Sequence, residues 1–165
     1  MQESFLAIKQ GIIFKEVKGL REVKYRGYYG DRTFDRVLAS CYKDGPCAIV
    51  WMEEKKDWVN YDGVLVQFIG ARDKNGEELY EDDIVEAWSQ GLKGTFVIKW
   101  RQEANPCWIL YPAWQKGQMW NLACHIEKDG KYYDRGITKL GNIHQNPELL
   151  KDEMLLKIQN LKREV

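Results

Sequence analysis

Histidine is scarce in this chain: His125 and His144 are the two present in 165 residues. Its four cysteines, Cys41, Cys47, Cys107 and Cys124, show no CxxC spacing. A zinc site built from these residues needs convergence over long sequence distances. Cys124 and His125 are adjacent, and neighbours on a strand face opposite sides, which works against a shared metal or a nucleophile–base pair. No glycine-rich loop is followed by Lys-Ser/Thr, so no phosphate cradle is marked. No run approaches the ~20 apolar residues of a membrane span. The N-terminus, MQESFLAIKQGIIF, lacks a basic start with an apolar core and a small-residue cleavage site. A cytoplasmic protein with reduced, partly buried cysteines is expected, with no cofactor and no membrane partner. The formal net charge is zero, so the whole molecule is not steered toward polyanions.

What is present is a chain of ordinary hydrophobic content, 44%, with seven tryptophans and nine tyrosines. These aromatics are spread along apolar runs and are expected in core and subunit contacts. The length suits one domain, or two small ones sharing a core. Short β-branched and aromatic runs recur at Val23–Tyr29, Val37–Tyr42, Ala48–Met52, Trp58–Tyr61, Val64–Arg72, Ile84–Trp88, Thr95–Trp100, Cys107–Trp114 and Ile137–Ile143. Turn signals separate them at Asp44-Gly45-Pro46, Asp62-Gly63, Asn75-Gly76 and Asp129-Gly130. Pro112 interrupts the run Cys107–Trp114, as at an edge or a bulge. Glu77 to Glu81 is expected as an amphipathic link. The pattern predicts a mainly β protein, a small barrel or sandwich.

The period changes at the C-terminus. Asn146 and Pro147 read as a helix start. Leu150, Met154, Ile158 and Leu161 then recur at spacings of four, four and three, an amphipathic stripe. The stripe is expected to pack on the sheet or on another subunit.

Two charged segments stand out. Lys18 to Arg36 is basic, and within it Lys24, Tyr25, Arg26, Tyr28 and Arg32 interleave cations with aromatics, a candidate nucleic-acid surface. Residues 72–86 set Arg72 and Lys74 against seven carboxylates, among them Asp73, Glu77, Glu81, Asp82 and Asp83. The set does not fit a calcium-loop spacing. Asp73, Glu81, Asp82 and Asp83 are the candidates for a divalent-metal enzyme. Asp73, Glu77, Glu81 and Asp82, together with Leu150, Met154, Ile158 and Leu161, are the candidate partner-binding residues. The opposed charges favour packing between the two halves or head-to-tail association of subunits.

Three motifs carry a family resemblance. Val23-Lys24-Tyr25-Arg26, the stretch Gln67-Phe68-Ile69-Gly70-Ala71-Arg72-Asp73-Lys74-Asn75-Gly76 with Tyr80-Glu81-Asp82-Asp83-Ile84-Val85, and Leu140-Gly141-Asn142-Ile143-His144-Gln145-Asn146-Pro147-Glu148-Leu149-Leu150 resemble, in order and spacing, segments of the YopX family. Asp82 stands where that family has glycine, a substitution that costs something if the position has a positive φ. The resemblance implies a mainly β protein with an SH3-like small barrel in its C-terminal part. With the residue pattern, the expected division is a β-rich N-terminal part over 1–66, with 1–20 as an extension, the barrel over 67–146 and the amphipathic helix over 147–165. The resemblance also implies carriage by bacteriophages or mobile elements and no established catalytic residue. The resulting expectation is a non-enzymatic accessory protein that assembles with itself or a protein partner. Nucleic-acid binding and, more weakly, metal-dependent catalysis stand as alternatives.

Overall fold

A computed structural model describes residues 23–42, 45–103, 105–151 and 154. The chain is mainly β. The strands are β1 (Tyr25–Tyr29), β2 (Arg32–Phe34), β3 (Val37–Tyr42), β4 (Gly45–Met52), β5 (Asp57–Tyr61), β6 (Val64–Arg72), β7 (Glu78–Tyr80), β8 (Asp83–Ser89), β9 (Leu92–Arg101), β10 (Cys107–Tyr111), β11 (Trp114–Gln115), β12 (Gln118–Met119), β13 (His125–Ile126), β14 (Tyr132–Tyr133) and β15 (Ile137–Asn142). Among the described residues no helix is long and apolar enough to cross a membrane.

Strand β6 joins the two halves. It pairs antiparallel with β1, placing Tyr25 opposite Gln67 and Tyr28 opposite Val64. It also pairs antiparallel with β7, setting Phe68 against Tyr80 and Arg72 against Glu78, with a register shift between. Gly70 lies inside that shift at φ +88°, a conformation glycine adopts without a Cβ penalty. Alternation along β6 sends Val66 and Phe68 into one cluster with Tyr28 and Tyr80. Ile69 and Ala71 point the other way, into the main core of Leu79, Val85, Phe96, Ile98, Leu110, Trp120 and Ile137.

The expected closed barrel over 67–146 is not shown: its main sheet is open, in the order β10-β9-β8-β15. A six-stranded sheet in the order β13-β14-β6-β1-β2, with β7 also on β6, a three-stranded sheet, β3-β4-β5, and a separate β11-β12 hairpin complete the pattern. The expected link Glu77–Glu81 is instead largely strand β7, drawn in because Leu79 and Tyr80 are buried. The run Cys107–Trp114 ends at Tyr111, where the Tyr111–Pro112 peptide is cis.

The helix expected from 147 onward is described only at its start, a 3-10 turn over Pro147–Leu149. Asn146 precedes it without a side-chain cap hydrogen bond. Leu150 packs on Ile84 and Val97, and Met154 joins the same cluster. Ile158 and Leu161 lie outside the described residues.

Candidate functional site

Several of the sequence-derived candidates, Lys24, Arg26, Tyr28, Glu81, Asp82 and Asp83, lie at one polar joint between the β1-β2 hairpin and the sheet of β8 and β9. Asp82 occupies the turn between β7 and β8 at φ +66°, the strained conformation anticipated for a position that favours glycine. Its carboxylate accepts from Lys99 Nζ at 2.7 Å and lies 2.8 Å from His144 Nε2. The His144 ring stacks on Tyr28, with centroids 5.1 Å apart. Gln145 follows, donating to the Asp31 carbonyl at 3.2 Å and to Thr33 Oγ1 at 2.9 Å. The segment after β15 is thereby pinned to the N-terminal hairpin.

Asp83, fully buried, begins β8. One carboxylate oxygen accepts from the Tyr80 amide at 2.8 Å and from Lys139 Nζ at 2.6 Å. The other has no hydrogen-bond partner among the described residues. Burial pushes this carboxyl up to about 6, against the opposing pull of Lys139. Glu78 behaves in the opposite way. Burial alone would raise it, but hydrogen bonds from Lys24, Tyr80 and Arg72 bring it down to about 2. Arg26 lies 4.1 Å from the Tyr80 ring centroid and pairs with Asp35 at 2.6 Å.

Asp73 has a local task. Its buried carboxylate accepts from the amides of Asn75 at 2.8 Å, Glu77 at 2.9 Å and Lys139 at 3.1 Å. It shapes the Asn75-Gly76 turn and ties that turn to β15. Glu77 is exposed, and Glu81 lies 3.7 Å from Lys99. Among the described residues no three His, Cys, Asp or Glu side chains form a group that could hold a metal ion.

The basic segment finds its acidic complement within the chain. Lys24 pairs with Glu78, and Arg32 pairs with Glu54 at 2.5 Å. Tyr28 is buried, Tyr25 half-buried and Arg32 exposed. The joint therefore spends its charges internally.

A second region was not singled out by sequence reasoning. On the β8-β9 ribbon the two-residue turn Gln90-Gly91 has both φ values positive, +49° and +80°, the geometry that matches strand twist. Residues opposite one another share a face: Ile84 with Val97, Glu86 with Thr95, Trp88 with Lys93. The inner face, Val85, Ala87 and Phe96, is core. The outer face is covered at Ile84 and Val97 by Leu150 and open at its tip. There Trp88 is 57% exposed, and nearby Met119 lines the same cavity of about 160 Å3. Met119 is itself 57% exposed and pairs with Trp114, 65% exposed, on the β11-β12 hairpin. The signal that could have found this face was the pair Lys116-Gly117, whose positive φ values, +53° and +75°, make a second tight hairpin.

Comparison with known proteins sets these observations in a family. No curated protein matches the sequence. Protein EF1440 from Enterococcus faecalis is similar in structure, with a TM-score of 0.49 and 18% identity over 80% of this chain and 100% of that one. Protein yopX from Bacillus subtilis gives a TM-score of 0.42 and 17% identity, with the same coverage. The YopX protein family model matches residues 24–151, a span that holds the joint and, but for Val23, the three motifs, and the chain belongs to that family.

Proposed function

We propose that this protein is a non-enzymatic accessory module, of phage or prophage origin, that assembles with itself or with a protein partner in the host cytoplasm. The observation that carries this reading is the exposure of Trp88 and Met119, which line one small cavity, and of Trp114, the strand partner of Met119. Tryptophan and methionine are enriched in interface cores, and an exposed aromatic cluster marks a contact surface. The polar joint supports the scaffold, because its ion pairs fix the hairpin to the sheet. The phage or prophage origin is what the family resemblance implies.

A photo-crosslinking residue placed at Trp114, with a control at Tyr132, tests the reading in host cells. Discrete adducts from position 114 that vanish with Trp88→Ser support it. Absence of adducts, or equal adducts from the control, overturns it.

A second reading, nucleic-acid binding, has one observation in its favour. Arg32 lies 5.2 Å from the Phe34 ring and Arg36 4.7 Å from the Trp51 ring, beside a cavity of about 310 Å3. Asp35, Glu53 and Glu54 line the same cavity and offset those cations, which ranks this reading second. Binding to single-stranded probes that weakens with salt and with Arg32→Ala supports it, and no binding removes it.

A further inference from the structure

The outer face of the β8-β9 ribbon runs from the exposed Trp88 toward Leu150, and between them lies a groove of about 540 Å3. Its floor is apolar, made by Leu149, Leu150 and Met154. Its rim is cationic, carrying Lys93, Lys116 and Lys151. Glu86, the lone carboxylate lining it among the described residues, is paired with Lys93 at 2.9 Å. Lys116 Nζ meets only the carbonyl oxygen of Lys93 among the described residues, and the Lys151 side chain meets no carboxylate there. Among the described residues, two positive charges thus face the groove without a carboxylate partner.

From this combination we infer that the partner docked beside Trp88 presents an acidic segment with spaced apolar side chains, seated in this groove. The inference rests on the assembly reading above. A polyanion without apolar groups leaves the floor of Leu149, Leu150 and Met154 uncovered. A purely apolar ligand strips water from Lys116 and Lys151 with nothing to pair them. A segment carrying carboxylates at the rim and leucine-like side chains on the floor satisfies both. The groove lies across the face of the ribbon, whose strands are already hydrogen-bonded on both edges within the sheet. Recognition therefore runs through side chains and not through strand addition.

The test titrates full-length protein with a short fluorescein-labelled peptide of glutamates spaced by leucines. Controls are its lysine–leucine and glutamate–serine counterparts and a single-stranded oligonucleotide of equal charge. The expected result is binding of the glutamate–leucine peptide that weakens with salt. It falls about tenfold or more in Lys116→Glu/Lys151→Glu, whose melting temperature is unchanged. Lys116→Gln/Lys151→Gln gives an intermediate loss and serves if the charge-reversed protein folds poorly. No binding, equal binding of any control, or binding indifferent to both variants overturns the inference. If the Trp114 adducts persist while the acidic peptide fails, assembly stands and the acidic partner falls. If neither is seen, both fall.

Discussion

Replacing Lys139 with methionine probes the most exposed energetic commitment of this fold. Methionine keeps most of the aliphatic stem and removes the ammonium that lies 2.6 Å from the buried Asp83 carboxylate. The carboxylate is then left with the Tyr80 amide, and its second oxygen already lacks a partner among the described residues. Removing one member of a buried ion pair costs about 3–5 kcal/mol, because the remaining charge stays desolvated. The cost has a definite pH dependence. Asp83 sits at about 6 in the folded protein, above its ordinary 3.8. The folded state therefore holds this proton more tightly than the unfolded chain. Stability from this group is greatest near pH 4 and falls as pH rises through 6, by up to about 3 kcal/mol. At pH 8 the carboxylate is charged and Lys139→Met shows its full loss. At pH 5 it is largely neutral in the wild type as well, and the loss shrinks to about 1 kcal/mol, the worth of a hydrogen bond. Urea unfolding followed by tryptophan fluorescence at pH 5, 6.5 and 8 measures both quantities. A loss below about 1 kcal/mol at pH 8, or one equal at pH 5 and 8, refutes the reasoning. The double substitution Asp83→Asn/Lys139→Met restores most of the stability, since the stranded charge is gone.

Other perturbations test separate joints of the argument. A Cβ added at Gly63 meets Tyr61 Oη at 2.3 Å and the Tyr28 carbonyl at 2.7 Å. Gly63→Ala therefore lowers stability by roughly 1–3 kcal/mol in a thermal melt, as overpacking does. Asp82→Ala loses the Lys99 and His144 contacts while keeping a Cβ at φ +66°. Asp82→Gly loses the same contacts without that strain, and chemical denaturation shows it about 1 kcal/mol more stable than Asp82→Ala. Glu78, held at about 2, contributes stability that is present above its ordinary 4.5 and lost as pH falls toward 2. Glu78→Gln flattens that acid limb in a pH titration of the melting temperature.

The strand runs and turns were legible because their signals are local. Alternation, Asn75-Gly76 and the halt before Pro112 each act over a few residues. The conformation of Asp82 could be anticipated from the glycine expected there. The stretch Glu77–Glu81, expected as an amphipathic link, is largely strand because burial of Leu79 and Tyr80 against β6 overrides a weak local pattern. The candidate sites were legible only as an inventory. Lys24 and Asp82 were visible as charges, but their partners lie far along the chain, as Glu78 does for Lys24 and His144 for Asp82.

Residue by residue, the sequence alone determined a mainly β chain, the place of its main turns and its membership of a family recognised by three spaced motifs. Those properties depend on backbone preference and short-range periodicity. Which charges are spent inside the joint and which remain on the surface was decided only by the tertiary structure. So was the exposure of Trp88, Trp114 and Met119 while Trp120, one residue from Met119, is buried. Ion pairing and solvent access depend on which distant strands lie side by side, and no local pattern encodes that.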